Sequence, residues 1–152
     1  MSSRFRDTVE KPKNAFVIVV RKGKSGPKIL LQKRRGGPGD GMLGLPGGKI
    51  NYREDPKEAA RRECKEETGI DLTNLQYAGE NWDAAIFVSR VTSRWIYGPE
   101  KRYRNEVDMG WGFKGHMWYP YKVQNGKVII EKPDIPIWKY TQDALDRASV
   151  FL

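Results

Sequence analysis

Apolar residues occur in short runs that glycine, proline and polar residues separate. The runs AFVIVV (15–20) and KILLQKRR (28–35) predict two β-strands, and GKSGP between them is typical of a hairpin turn. LQYAGE (75–80), AAIFVSRV (84–91) and MWYPYKV (117–123) predict three further strands, and Asn125-Gly126 predicts a tight hairpin leading to KVIIE. The stretch GGPGDGMLGLPGGK (36–49) contains seven glycines and two prolines, so we predict a loop there.

Two segments have the spacing of amphipathic helices. The first spans about residues 56–68, because Asp55 is a suitable N-cap, Pro56 fits the first turn, Glu58 completes a capping-box pattern and Gly69 is a suitable stop. The second is KYTQDALDRASV (139–150). Strands joined by tight hairpins and followed by helices predict an α+β fold in which helices pack on a mixed β-sheet. The length of 152 residues predicts a single domain, 1–152.

The first helix concentrates negative charge on one side. At 100° per residue, Glu63, Glu66 and Glu67 lie in the same arc as Ala59 and Ala60, which predicts that the glutamates face the protein body. The opposite side is the predicted solvent face: Lys57, Arg61, Lys65 and Thr68. Clustered carboxylates repel one another, so they require either a hard divalent cation such as Mg²⁺ or neighbouring Arg and Lys side chains.

The overall charge is strongly basic. Lys and Arg number 28 against 19 Asp and Glu, a net charge of +9, and 11 basic against 3 acidic residues fall in the first 40 positions. This field favours phosphate-rich partners, although a basic solvated surface without a partner is the alternative. Cys64 is the only cysteine, which predicts no disulfide-linked partner and a reducing, cytoplasmic location. No apolar run approaches the length of a membrane span or signal-peptide core, so we expect a soluble protein without a membrane partner.

The stretch from Gly48 to Ile70 reads GKINYREDPKEAARRECKEETGI. It resembles the Nudix box, G-x5-E-x7-R-E-U-x-E-E-x-G-U, in which U is aliphatic. Eight of the nine defined positions match: Gly48, Glu54, Arg62, Glu63, Glu66, Glu67, Gly69 and Ile70. The departure is Cys64 at an aliphatic position, and since free cysteine behaves as a small hydrophobe, we predict that it packs in the core.

The resemblance implies a Nudix hydrolase, an α/β/α sandwich that cleaves a nucleoside diphosphate linked to another group. It implies that Glu63, Glu66 and Glu67 are catalytic carboxylates that bind Mg²⁺ or Mn²⁺. It also implies that the backbone carbonyl of Gly47 joins them as a ligand. The implied supporting residues are Glu54, Arg62 and Gly48.

Substrate preference depends on residues outside the box. PDIPIWKY (133–140) is similar to P-E-F-x-x-W-[RK]-[WY] of the branch containing dinucleoside tetraphosphate hydrolases and RNA 5′-pyrophosphohydrolases, which places Asp134 as a further catalytic acid. Rival acids are Glu106, Asp108 and Glu131, whereas His116, the only histidine, is expected to be a surface or satisfied side chain. Basic and aromatic residues suit phosphate contacts and base stacking, and the predicted substrate-binding residues are Lys33, Arg34, Arg35, Trp95 and Tyr97.

Three functions follow as hypotheses. The favoured one is metal-dependent hydrolysis of dinucleoside polyphosphates, such as diadenosine polyphosphates, or of the 5′-triphosphate end of RNA. The second is a MutT-like enzyme that hydrolyses oxidised or unwanted nucleoside triphosphates. The third is a catalytically inactive Nudix-like module that only binds RNA. An inactive module typically lacks a box glutamate, and every box glutamate is present here.

Overall fold

A computed structural model of the protein describes residues 11–23, 26–92 and 116–152. These residues form eight β-strands, two α-helices and a terminal 3₁₀ turn. In chain order the elements are β1 (Asn14–Gly23), β2 (Gly26–Lys33), β3 (Leu43–Gly44), β4 (Gly47–Lys49), α1 (Pro56–Thr68), β5 (Gln76–Asn81), β6 (Ala84–Val91), β7 (His116–Gln124), β8 (Lys127–Ile130), α2 (Lys139–Arg147) and the turn Ser149–Phe151.

The strands form one mixed sheet in the order β5-β6-β1-β2-β7-β8, with β3 added to β2 and β4 added to β1. Strand β1 runs parallel to β6 and antiparallel to β2. The predicted hairpins are confirmed, and Asn125 and Gly126 both have positive φ, as the two central residues of a type I′ turn require.

The central strand β1 is buried on both faces, which explains its unbroken apolar run. Ile18 and Val20 belong to a core cluster shared with Leu145 of α2. Val17 and Val19 belong to a second cluster, which contains the small buried residues of α1. The two helices therefore cover opposite faces of the sheet, and the predicted α/β/α sandwich is confirmed.

Helix α1 begins and ends where the sequence predicts. The Asp55 carboxylate accepts a hydrogen bond from Lys57 N at 3.1 Å, and Gly69 ends the helix in a left-handed conformation with φ of 84°. Within the described ranges, no helix is both long and apolar enough to cross a membrane.

The prediction that residues 36–49 form only a loop is wrong in its second half. Strands β3 and β4 form there, because Gly44 pairs with Gln32 of β2 and Gly47 pairs with Phe16 of β1. Their sequences carry no strand signal. These strands form because they pair with β1 and β2, and this tertiary pairing supplies the stabilisation. This pairing places Gly47 and Gly48 beside α1.

Candidate active site

The three glutamates of the box helix occupy different environments. Glu67 is buried, with 9% of its surface exposed, and the side chain of Glu63 is 18% exposed. Glu66 has a side chain that is 51% exposed. The prediction that all three face the protein body is therefore wrong for Glu66. The helix packs through its fully buried Ala59, Ala60 and Cys64, and only the side chains nearest that stripe are covered.

The opposite face of the helix also requires a correction at Thr68. This residue is buried rather than solvent-facing: its hydroxyl donates to Cys64 O at 2.7 Å and accepts from Ile70 N at 3.2 Å. The buried threonine thus satisfies backbone groups where the helix ends. Cys64 is fully buried as predicted, and burial raises the pKa of its thiol to about 12, so the thiol stays protonated and packs as a small hydrophobe.

Glu67 is the buried carboxyl at the centre of the site. Its Oε1 accepts hydrogen bonds from Gln32 Nε2 at 2.8 Å and from Gly47 N at 3.1 Å. Burial raises the pKa of Glu67 to about 8, these two donors lower it in part, and the neighbouring Glu63 carboxylate raises it further. Without a cation this carboxyl retains its proton near neutral pH. A nearby positive charge would favour ionisation.

Arg62 organises the outer carboxylates. It forms a bidentate ion pair with Glu54, through Nε at 2.8 Å and Nη2 at 2.9 Å. Its Nη1 also donates to Glu63 at 3.1 Å and to Glu66 at 3.2 Å, and Nη2 donates to the backbone carbonyl of Lys49 at 3.0 Å. The hydrogen bond from Arg62 lowers the pKa of Glu54. One guanidinium thus links the carboxylates of α1 to the loop before the helix.

The glycine pair preceding the helix permits a very close approach. A Cβ at Gly48 would lie 2.7 Å from the Glu63 carboxyl carbon. A Cβ at Gly47 would clash with the backbone oxygen of Ala15, and Gly47 has a φ of 149°. Any larger residue at either position would therefore displace the carboxylates or the central strand.

The donor set fits a hard divalent cation. Within residues 11–23, 26–92 and 116–152, no three His, Cys, Asp or Glu side chains converge closely enough to enclose a metal ion by themselves. Mg²⁺ usually binds through one or two carboxylates together with water and substrate phosphates, so a complete protein cage is not required. Glu63 and the buried Glu67, whose pKa is raised, form such an oxygen pair. They lie beside Gly47 and Gly48, which together we call the glycine cradle.

An aromatic cleft lies on the sheet face that carries α2. It has a volume of about 460 Å³, within the range of roughly 300–1,000 Å³ for ligand sites. Its aromatic walls are formed by Phe16, Trp82, Trp138 and Tyr140. Tyr140 contacts both indoles nearly edge-to-face, with ring centroids 5.0 Å from Trp82 and 4.8 Å from Trp138.

Arg34 lines the cleft. Its guanidinium lies 3.7 Å from the ring centroid of Trp138, and Nε donates to Pro38 O at 3.1 Å. Burial lowers the pKa of Arg34, while the charge of Glu67 raises it, which places this cation within the field of the buried carboxyl. Lys33 and Arg35, the other two cations predicted to bind substrate, are exposed on either side of it.

Asp134 is on the other side of the sheet from Glu67. Its Oδ1 accepts a hydrogen bond of 2.5 Å from the Tyr119 hydroxyl, which lowers the pKa of Asp134. Tyr119 belongs to the core cluster beneath α2, whereas Glu67 lies on the helix that covers the opposite face. The catalytic assignments of Asp134 and of the exposed Glu131 stay predictions. The side chain of His116 and four predicted residues lie outside the described part of the chain: Trp95, Tyr97, Glu106 and Asp108.

Sequence reasoning missed Gln32, Trp82 and Tyr140. Gln32 interrupts an apolar strand, and a polar residue there signals a buried partner. Trp82 occupies a two-residue hairpin loop where glycine or asparagine is usual, and this departure was the available signal. Tyr140 lies within the motif that suggested the substrate branch, but nothing in the sequence indicated its contact with Trp82.

Comparisons with known proteins agree with this geometry. The sequence model of the NUDIX domain matches residues 11–125. An ADP-ribose pyrophosphatase of Methanocaldococcus jannaschii is 51% identical over 43 residues, which cover 28% of this chain and 25% of that protein. YtkD of Bacillus subtilis, a candidate 8-oxo-dGTP diphosphatase, is 38% identical over 71 residues, covering 47% of this chain and 40% of YtkD. The matches thus span less than half the length of either relative.

Among solved structures, a MutT/nudix family protein from Enterococcus faecalis superimposes with a TM-score of 0.70. It is 18% identical, and the match covers 91% of this chain and 61% of that protein. At this identity the likeness concerns the fold.

Proposed function

Because the chain belongs to the NUDIX family, we propose that it is a metal-dependent pyrophosphohydrolase that cleaves a pyrophosphate bond in nucleoside-diphosphate-linked substrates. The observation that carries this proposal is the pairing of Glu67, buried with a raised pKa, with Glu63 beside a glycine cradle. A purely structural role gives no reason to bury a carboxyl among these groups. Perturbed carboxyls of this kind are typical of functional sites.

The residues have distinct proposed roles. Glu63 and Glu67 would hold the ion, with Glu66 at the exposed edge and the Gly47 carbonyl as a backbone ligand. Mg²⁺ or Mn²⁺, when bound, would neutralise pyrophosphate charge and lower the pKa of an attacking water. Arg62, itself fixed by Glu54, would hold the Glu63 carboxylate in position.

The favoured substrates remain dinucleoside polyphosphates or the 5′-triphosphate end of RNA. Supporting this, a broad open cleft of about 640 Å³ adjoins Glu54 and carries four basic side chains, Lys11, Lys13, Lys49 and Arg53. A second basic group, Lys33 and Arg35, is exposed at the end of β2. A long polyanion would contact more of these charges than a mononucleotide.

Hydrolysis of nucleoside triphosphates is the second candidate. The aromatic cleft favours it, since its walls suit a single planar ring and Arg34 lines the same cleft. The similarity to YtkD points in the same direction. The inactive RNA-binding module has less support, because the box glutamates and their arginine are all present.

A substrate panel tests the proposal directly. Product formation would be measured with Mg²⁺ and with Mn²⁺ on diadenosine tetraphosphate, 5′-triphosphorylated RNA, 8-oxo-dGTP, ATP and ADP-ribose, using Glu67→Gln as the inactive control. We expect turnover of at least one substrate by the wild type and a loss of about 10²-fold or more in the variant. Binding without turnover on the whole panel would replace the enzyme with the binding module.

The basic residues then separate the two substrate classes. Lys33→Ala combined with Arg35→Ala should raise KM for triphosphorylated RNA more than for ATP, and RNA turnover below saturation should fall faster with added salt. Equal changes for both substrates would remove RNA as the favoured substrate and leave hydrolysis of nucleoside triphosphates as the favoured function.

A further inference from the structure

Trp82 combines three unusual features. It has a φ of 55°, it is 77% exposed, and it is the first residue of the two-residue turn between β5 and β6. Glycine is the usual residue at a turn position with positive φ, because a side chain there is strained. A large aromatic ring held in this conformation and left mostly in solvent is unfavourable for folding, so its presence requires another reason.

The surroundings hold this indole at the mouth of the aromatic cleft. The neighbouring Asn81 is buried, and its Nδ2 donates to Tyr140 O at 2.9 Å and to Asp143 Oδ2 at 3.1 Å, which fastens the hairpin to α2. Trp82 then meets Tyr140 nearly perpendicularly, at 84°. This contact fixes the position of the ring and leaves most of its surface open.

The other indole of the cleft is already covered. Trp138 lies under the Arg34 guanidinium, and a Cβ at Gly39 would lie 2.7 Å from its ring atoms. Both groups occupy surface that a ligand would otherwise contact. Trp82 is therefore the wall with the most surface available to a flat, apolar ring.

We propose that Trp82 is a stacking platform for the nucleobase of the substrate, and that the strained turn serves to present it. This inference rests on the proposed nucleotide hydrolysis only in identifying the stacked ring as a nucleobase. A nucleobase fits the cleft because its aromatic walls suit a planar ring, and Arg34, which lines the same cleft, supplies a cation for the phosphate of the same molecule. Base–aromatic stacking tolerates different bases, so Trp82 would add affinity more than base selectivity.

Equilibrium binding measures this role without turnover. Calorimetric titration with adenosine 5′-monophosphate is compared with titration by ribose 5-phosphate, which lacks the base. Trp82→Gly should weaken the binding of adenosine 5′-monophosphate by about 5-fold to 100-fold and leave that of ribose 5-phosphate unchanged. On the best substrate of the panel, KM should rise while kcat changes little.

The thermal stability of the same variant separates this role from a structural one. Glycine accepts a positive φ, so Trp82→Gly should have a Tm equal to or above that of the wild type although it binds more weakly. Asparagine also tolerates positive φ, so Trp82→Asn provides a second variant without the aromatic ring. Trp82→Phe keeps an aromatic ring and should restore much of the affinity. Tyr77→Ala is the matched control. Tyr77 is an exposed aromatic residue on the same hairpin and packs against Phe87 of the neighbouring strand, so this variant should have a lower Tm without loss of affinity.

Each outcome decides one question. Unchanged affinity and KM in Trp82→Gly and Trp82→Asn, or equal weakening for ribose 5-phosphate, would overturn the platform even if the protein hydrolyses nucleotides. Absence of adenosine 5′-monophosphate binding by the wild type at millimolar concentration would also overturn it. Base-dependent binding that requires Trp82, found in a protein that turns over nothing on the panel, would support the platform and refute the hydrolase.

Discussion

Replacing Glu67 by glutamine should stabilise the metal-free protein at neutral and alkaline pH. Glutamine has nearly the same shape, and its carbonyl oxygen can accept the same hydrogen bonds from Gln32 Nε2 and Gly47 N. What the substitution removes is a carboxyl that is expensive to ionise while buried beside Glu63. The variant therefore isolates the cost of placing this charge in the site.

The magnitude follows from the shift in proton affinity. The pKa of Glu67 is about 8 in the folded protein against an ordinary value of 4.5. Between these values the unfolded chain binds fewer protons than the folded protein, so the free energy of unfolding falls as pH rises. One pKa unit corresponds to about 1.4 kcal/mol, and we expect the wild type to lose roughly 3 kcal/mol relative to the variant between about pH 5 and about pH 8.

Urea unfolding in the presence of chelator measures this difference. The free energy of unfolding would be compared for wild type, Glu67→Gln and Glu66→Gln at several pH values across that window. The exposed Glu66 carboxylate pairs with Arg62, so its variant should keep the pH dependence of the wild type and serves as the matched control. Added Mg²⁺ should stabilise the wild type and have a smaller effect on Glu67→Gln, because a ligand for the ion is lost.

Parallel stability curves for wild type and Glu67→Gln across the window would refute the reasoning. They would mean that Glu67 ionises normally in the folded protein. A variant less stable than the wild type at about pH 8 in chelator would show instead that the ionised carboxylate contributes favourably without metal. Either result would remove the electrostatic case for a cation at this position.

The remaining predictions concern the residues around Glu67. Glu63→Gln should lower kcat by about 10²-fold or more with a retained fold, checked by steady-state kinetics and circular dichroism; near-normal turnover would exclude it as a metal ligand. Arg62→Lys should lower kcat and metal affinity together, because a lysine cannot reproduce the bidentate pair with Glu54, and an additive double variant with Glu54→Gln would contradict the coupling. Asp134→Asn and Tyr119→Phe should both lower Tm, because each removes the hydrogen bond between these two side chains. If Asp134 is the general base, Asp134→Asn should also lower kcat by about 10²-fold or more, and normal turnover would reject its catalytic assignment.

Local chemistry made the box helix predictable from the sequence. Asp55 caps it, Gly69 ends it in the left-handed conformation, and the spacing of small and charged residues indicated which stripe packs. The same holds for the Asn125-Gly126 hairpin, since positive φ at both residues is a property of those two side chains. The spacing of the box residues identified the family, because the helix period brings residues three and four positions apart onto one side.

Tertiary structure decided which of these carboxylates is buried and has a raised pKa. Glu66 and Glu67 are adjacent in sequence, yet one is exposed and the other is buried. The difference arises from Gln32 and Gly47, which come from strands 35 and 20 residues away. Residue spacing within one helix cannot specify how deep a side chain lies in a sheet that other segments build. For the same reason, β3 and β4 formed in a glycine-rich stretch that carried no strand signal.

The aromatic cleft is likewise a product of topology. The sequence showed abundant tryptophan and tyrosine but could not show that a hairpin turn and a terminal helix meet. The Asn81 amide and the Tyr140 carbonyl are 59 residues apart in sequence and 2.9 Å apart in space. The order of strands in the sheet places β5 beside α2, and long-range contacts of this kind depend on the whole chain. The sequence by itself thus determined the helix, its charges and the family, whereas the burial of Glu67 and the exposure of Trp82 arose only when distant segments packed together.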